Sequence, residues 1–136
     1  MAEYILLLGV SLAVFLALLA AFGASAATAD NDATTITAEN VAGAVSSAIC
    51  DTVGDGTVSA TVSLDLPEAI CGRPYLVCPC DARHVSVRVC RAHDGGMFVA
   101  PVPLRQGDIR MEGFTVSGQG RMGIAYDAAA RTVTIS

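Results

Sequence analysis

Apolar and polar positions follow two different periods along this chain of 136 residues. From Ile5 to Phe22 almost every position is aliphatic, alanine or aromatic, and no charged side chain occurs between Tyr4 and Ala29. As a helix, a run of that length spans a hydrocarbon core about 30 Å thick, so lipid or protein must cover it. The polar patch Thr28 to Thr35 reads as a melted or kinked interruption. Beyond it, Ile36, Val41, Val45 and Ile49 recur near the helical period, interleaved with Ala38, Ala42 and Ala48. Taken as one nearly continuous helix over residues 2 to 50, the segment measures about 70 Å, longer than a single small domain can bury. Other helices must then cover it. The abundant Ala, with Gly9, Gly23 and Gly43, suits close helix approach.

After the breaker Gly54-Asp55-Gly56 the period changes to alternation. Val58, Ala60, Val62, Leu64 and Leu66 point one way, and Thr57, Ser59, Thr61, Ser63 and Asp65 the other, which predicts a half-buried strand. Further strands are predicted at Tyr75 to Cys80, Val85 to Arg91, Met97 to Val102, Phe114 to Ser117, Arg121 to Tyr126 and Arg131 to Ile135. Asp94-Gly95-Gly96, Gly118-Gln119-Gly120 and a turn containing Asp127 punctuate them. Short strands at hairpin spacing mean an antiparallel sheet. The expected fold is therefore α+β: residues 1–53 form a long hydrophobic helix and residues 54–136 a small antiparallel β-domain. A sheet domain of that size is marginal in core area and needs a staple or a partner.

Composition sharpens this. Hydrophobic residues make up 53% and charged residues 15%, which rules out a disordered chain. The net charge of -5 is unevenly spread: the basic residues are Arg73, Arg83, Arg88, Arg91, Arg105, Arg110, Arg121 and Arg131, so none precedes Arg73. Nucleic acid is not an expected partner, because the chain lacks the concentrated basic face that replaces phosphate counterions. A polybasic lipid tether is excluded on the same ground.

Three fates compete for the apolar segment: a secretory signal, an ordinary membrane anchor and the spine of a filament. A secretory signal carries a basic region before its apolar run, whereas Glu3 stands there, although Ala24-Ser25-Ala26 has the look of a small-residue cleavage site. An ordinary anchor carries flanking Lys or Arg for orientation, and none lies near either end. Glu3 itself either favours the helix N-terminus or compensates a buried positive charge, the free amino terminus of its own or a neighbouring chain.

The block Ala2-Glu3-Tyr4-Ile5-Leu6-Leu7-Leu8-Gly9-Val10 resembles the start of the archaeal class III signal peptide family, pilin-like proteins of the type IV pilus superfamily that share a Gln-x-Ser-x-Glu-Tyr-hydrophobic pattern. Here only Glu3 and Tyr4 match; the Gln and Ser before them are absent, and Glu is third where the family has it fifth after cleavage. The segment Leu66-Pro67-Glu68-Ala69-Ile70-Cys71-Gly72-Arg73-Pro74-Tyr75 resembles the turn joining the first two strands in many euryarchaeal members. The resemblance implies removal of a leader by a prepilin peptidase, transient insertion in the membrane, handling by pilus assembly machinery, and entry of the helix into the core of an extracellular filament that attaches to surfaces or cells. Assembly is expected to run through Glu3, Tyr4, Leu8, Leu12, Leu16 and Leu19, making the chain a homopolymer. The principal alternative is a membrane-anchored ectodomain, or a minor pilin of a surface or secretion complex, that does not polymerise alone.

Cys50, Cys71, Cys78, Cys80 and Cys90 all lie outside the apolar spine. In an exported chain they are expected to form two disulfides and leave one thiol, with bridges such as Cys80 to Cys90 or Cys50 to Cys71. Cys78 and Cys80 share a strand face and should take different partners. The rival is zinc held by Cys71, Cys78, Cys80 and Cys90, or by His84 and His93, but the spacing lacks the paired knuckles of structural zinc sites. No catalytic residue, cofactor or resident metal is expected: His93-Asp94 beside two glycines suits a turn, and no nucleophile elbow, phosphate loop or metalloprotease motif occurs. Asp30 and Asp32 read as a solvated patch or a contact between subunits. There is no Asn-x-Ser/Thr sequon, and Thr28, Thr34, Thr35 and Thr37 are candidates for O-linked sugar.

Overall fold

A computed structural model describes residues 1–90, 96–105 and 107–136. The expected turn at Asp94-Gly95, the His93-Asp94 pair and the Arg91 end of the third expected strand lie outside the described residues. A long helix, α1 (Ala2–Val53), precedes β1 (Ala60–Asp65), β2 (Tyr75–Asp81), β3 (His84–Val89), β4 (Gly96–Pro101), β5 (Arg110–Gly113), β6 (Thr115–Val116), β7 (Arg121–Asp127) and β8 (Thr132–Ile135). The fold is α+β, with the long helix first and antiparallel-rich sheets after it.

The polar patch Thr28 to Thr35 does not melt; α1 runs through it unbroken. The Thr28 hydroxyl donates to the Ala24 carbonyl at 3.0 Å, a back-bond that lets a hydroxyl residue sit inside a helix without exposing an unpaired group. The chain nonetheless divides into two compact units, Met1–Ala33 and Thr34–Ser136. The cut falls inside α1, well before the change of hydrophobic period at Gly54.

In the second unit, α1 turns one face to the core: Ala38, Val41, Ala42, Val45, Ile49 and Val53 are buried, at the three- and four-residue spacings that place side chains above one another. The helix stops at Gly54, whose φ of 56° is left-handed and whose N–H donates to the Cys50 carbonyl at 2.9 Å. That is the glycine cap that satisfies a last-turn carbonyl. Asp55 then fixes the exit, accepting from the backbone N–H and the hydroxyl of Thr57 at 3.1 and 2.7 Å. These hydrogen bonds hold its carboxyl below the usual carboxylate range.

The strands form two sheets, ordered β1-β7-β8-β5 and β4-β3-β2-β6. Pairing is antiparallel except between β5 and β8. Met122, Ile124, Tyr126, Val133 and Ile135 from the first sheet and Tyr75, Val77, Val85, Val87 and Val89 from the second join the buried helix face in one core. In β7 and β8 the alternation of the sequence is the alternation of core and solvent faces, whereas in β3 Ser86 is buried between Val85 and Val87. The segment Leu66 to Pro74 carries the chain from one sheet to the other through a tight turn at Ile70–Arg73, with Cys71 and Gly72 at φ 50° and 72°. The Tyr75 hydroxyl donates back to the Pro67 carbonyl at 2.5 Å. The seven expected strands all occur within a few residues of their expected bounds. β5 is additional: four residues reading Arg-Met-Glu-Gly carry neither alternation nor β-branching.

Candidate assembly surface

The first unit is one apolar helical segment. Its most apolar stretch is entirely unburied, and the helix is long and apolar enough to cross a membrane. Ala and Leu dominate it and supply strong helix propensity. The side chains singled out by sequence are all open to their surroundings, from Tyr4 at 80% and Leu8 at 74% to Leu12, Leu16 and Leu19 at 53–57%. Ile5, Leu7, Phe15, Leu18 and Phe22 are open to a similar degree, so the apolar surface runs round the whole helix. The structure does not set the expected assembly residues apart from these neighbours. A helix apolar on all sides has no water-facing side and belongs in a protein or lipid interior.

Glu3 lies in the first turn, next to Tyr4 and ahead of the charge-free run. Among the described residues it has no ion-pair partner in its own chain. Gly9 and Gly23 sit mid-helix with nothing within 4 Å of where a Cβ would stand. Glycine costs about 1 kcal/mol against alanine in a helix interior, and no contact within the chain requires it at either position.

The cysteines do not pair; all five are free. For Cys80 and Cys90 the strand register gives the reason. The β2–β3 hairpin turns at Asp81 and His84, so Cys80 lies at its tip, while Cys90 follows Val89 opposite Tyr75 and donates its N–H to Pro74 at 3.0 Å. The two lie at opposite ends of a strand roughly 20 Å long, and a disulfide needs Cα atoms about 6 Å apart. Cys78 faces Ser86 across the ladder, with the sulfur 3.3 Å from the hydroxyl, and Cys80 sits in a register shift between Pro79 and Asp81. Cys71 is exposed at the tip of its turn. Cys50, near the C-terminal end of α1, lines a cleft of about 360 Å³ with Gly54, Asp55, Pro103, Leu104 and Arg105. Burial, and then the charge of Asp51, push its thiol pKa up, away from the reactive thiolate.

The same hairpin carries the other polar cluster. Asp81 accepts from the Arg83 backbone N–H at 2.7 Å and lies 2.9 Å from Nδ1 of His84. The Arg83 bond and then the His84 contact lower the Asp81 pKa. This is a turn-fixing arrangement on an exposed surface. Among the described residues no three His, Cys, Asp or Glu side chains converge as a metal-binding group, and His93 lies outside them. Tyr75, buried against the core, has its phenol pKa raised by that burial. Comparison of the chain with known protein families, with curated proteins and with solved structures returned no match.

Proposed function

We propose that this chain is a structural subunit, a pilin of an extracellular archaeal type IV pilus-like filament, polymerising through the Met1–Ala33 half of α1 and carrying the β-domain as the part available for attachment to surfaces or cells. The observation that carries the reading is the wholly exposed apolar helix, uncharged from Tyr4 to Ala29. Burying a large apolar side chain stabilises by about 1.5–3 kcal/mol, so the exposed Leu, Ile, Val, Phe and Tyr side chains of this half together represent tens of kcal/mol. A domain's net stability is about 5–15 kcal/mol, so water is not the resting place of this surface. Lipid covers it before assembly and copies of the same helix cover it afterwards. Glu3 then finds its partner in an amino terminus inside the helix bundle. The block from Ala2 to Val10, with its Glu-Tyr pair, supports the pilin assignment by resemblance, as does the order of a long helix before a small sheet domain. A prepilin peptidase and pilus assembly machinery are the partners this role requires, and its chemistry is structural rather than catalytic.

Electron microscopy of cells producing the chain, with and without Leu16→Asp, tests the reading. An aspartate at this position puts an unpaired charge into the bundle, so filaments are expected from the parent chain and none from the variant, with the β-domain still folded. Normal filaments from Leu16→Asp would overturn assembly through the helix. A parent chain that stays in the membrane fraction without filaments would point instead to an anchored ectodomain.

A further inference from the structure

Asp-Gly is the dipeptide in which an aspartate isomerises most readily, because glycine carries no side chain to screen its nitrogen from the preceding carboxyl. The chain has two, Asp55-Gly56 and Asp94-Gly95, and the second lies outside the described residues. In this reaction the glycine nitrogen attacks Cγ of the protonated aspartate side chain. An N–Cγ bond forms, the C–OH bond breaks, and the amide proton leaves with the hydroxyl as water. Water then opens the cyclic imide at either carbonyl, giving back aspartate or leaving isoaspartate, whose main chain runs through Cβ and is longer by one carbon. The reaction needs a glycine nitrogen able to turn toward Cγ and a carboxyl in its neutral form.

At Asp55-Gly56 the fold withholds both. The Gly56 N–H donates to the Val53 carbonyl at 2.8 Å. Its own carbonyl accepts the hydroxyl of the core residue Tyr126 at 2.9 Å, so the glycine is held from both sides. Oδ1 of Asp55 accepts from the Thr57 N–H at 3.1 Å and from the Thr57 hydroxyl at 2.7 Å. Donors aimed at a carboxylate favour its ionised form, which is the poor electrophile. Asp55 is itself exposed, so exclusion of water plays no part in its protection.

We propose that Asp55-Gly56 is a latent site of isoaspartate formation, and that Thr57 guards it in the folded chain by holding the Asp55 carboxylate. The place of the dipeptide gives the modification a consequence. Gly54 and Gly56 both bond back to the end of α1, at Cys50 and Val53, and β1 follows at Ala60. A main chain lengthened by one carbon cannot keep both the Gly56–Val53 and the Tyr126–Gly56 bonds in their present places, so isomerisation loosens the join between the helix cap and the strand that carries Tyr126.

The test ages the full chain in detergent micelles at mildly acidic pH and reads isoaspartate at each Asp-Gly by peptide mapping with fragmentation that distinguishes the two linkages. Four samples are compared: the parent, the parent in urea, Thr57→Val and Thr57→Ser. Asp55 is expected to isomerise about tenfold more slowly in the folded parent than in urea, and about tenfold faster in Thr57→Val than in the parent, tenfold being the effect of one hydrogen bond to a charged group. Thr57→Ser keeps the hydroxyl and should age as the parent does. A thermal melt of Thr57→Val close to that of the parent separates loss of the guard from loss of the fold. Should Thr57→Val fail to fold, the pH profile of the parent decides: the rate at Asp55 levels off once the carboxyl ionises, and the guard moves that point to lower pH in the folded chain than in urea. Equal rates at Asp55 in the folded parent and in urea, a folded Thr57→Val that ages like the parent, or a profile that levels off at the same pH in both states overturns the guard. No isoaspartate at Asp55 in urea overturns the site.

Discussion

Gly113 stands where the chain leaves one sheet for the other, between β5 and β6. Its φ is +92°, and a Cβ placed there would overlap the backbone of Ile135 in β8. Two penalties coincide: a left-handed backbone that L side chains rarely adopt, and a clash with main chain that cannot rotate aside. Gly113→Ala is expected to cost on the order of 3 kcal/mol, seen as a lower denaturant midpoint at unchanged m-value. Gly118, at φ +106° with open space around it, isolates the first penalty, and Gly118→Ala should cost about 1–2 kcal/mol. Equal losses at the two positions would show that the clash is relieved by movement of β8. Neither penalty is legible in the sequence, since Gly113 precedes Phe114 with no turn dipeptide to mark it. The cysteines teach a different lesson. For Cys80 and Cys90 the evidence was in the sequence: the strands expected at Tyr75 to Cys80 and Val85 to Arg91 form a hairpin through Asp81 to His84, and the register of that same hairpin places the two cysteines at its opposite ends.

At the scale of elements, α1 is one helix by hydrogen bonding and two by environment. Its apolar first half is exposed all round, while Val41, Val45 and Ile49 in its second half belong to the β-domain core. The change of period at Gly54 marks the end of the helix, not the edge of the folding unit, because a helix face and a strand face contribute to one core without sharing a period. A chain beginning at Thr34 should therefore be soluble, with mixed helix and strand by circular dichroism and a cooperative melt. One beginning at Asp51 loses Val41, Val45 and Ile49 from the core, and at about 1.5–3 kcal/mol for each such side chain it should not fold. A cooperative β-rich melt from the shorter chain would show that the sheets close without the helix. The strands that alternate strongly were legible from sequence; β5 was not, because it pairs parallel to β8 through four residues whose side chains carry no strand signal. The edge position of β1 was equally hidden, for alternation reports which face a residue takes and says nothing of which strand is outermost.

For the whole molecule the charges and the apolar surface lie in different places. Residues 1–72 carry eight of the thirteen acids and no base, and within them the stretch from Tyr4 to Ala29 carries no charge at all. Two forces are then available to hold copies together: apolar burial along the first half of α1, and attraction between an acidic first half of the chain and the arginines of the second. They respond oppositely to solution conditions. Screening at 1 M salt shortens the reach of exposed charges to about 3 Å, whereas exclusion of kosmotropic salts strengthens apolar burial. Surface ion pairs contribute about 0–1 kcal/mol each, against tens of kcal/mol for the buried helix. Assemblies held by α1 should therefore persist when ammonium sulfate is raised to about 1 M and disperse into subunits in mild detergent, which supplies another cover for the same surface. Sedimentation and negative-stain microscopy of one preparation under both conditions read the outcome. Dispersal by salt with survival in detergent would place the holding contacts between the acids of the first half of the chain and the arginines of the second instead of along the apolar helix.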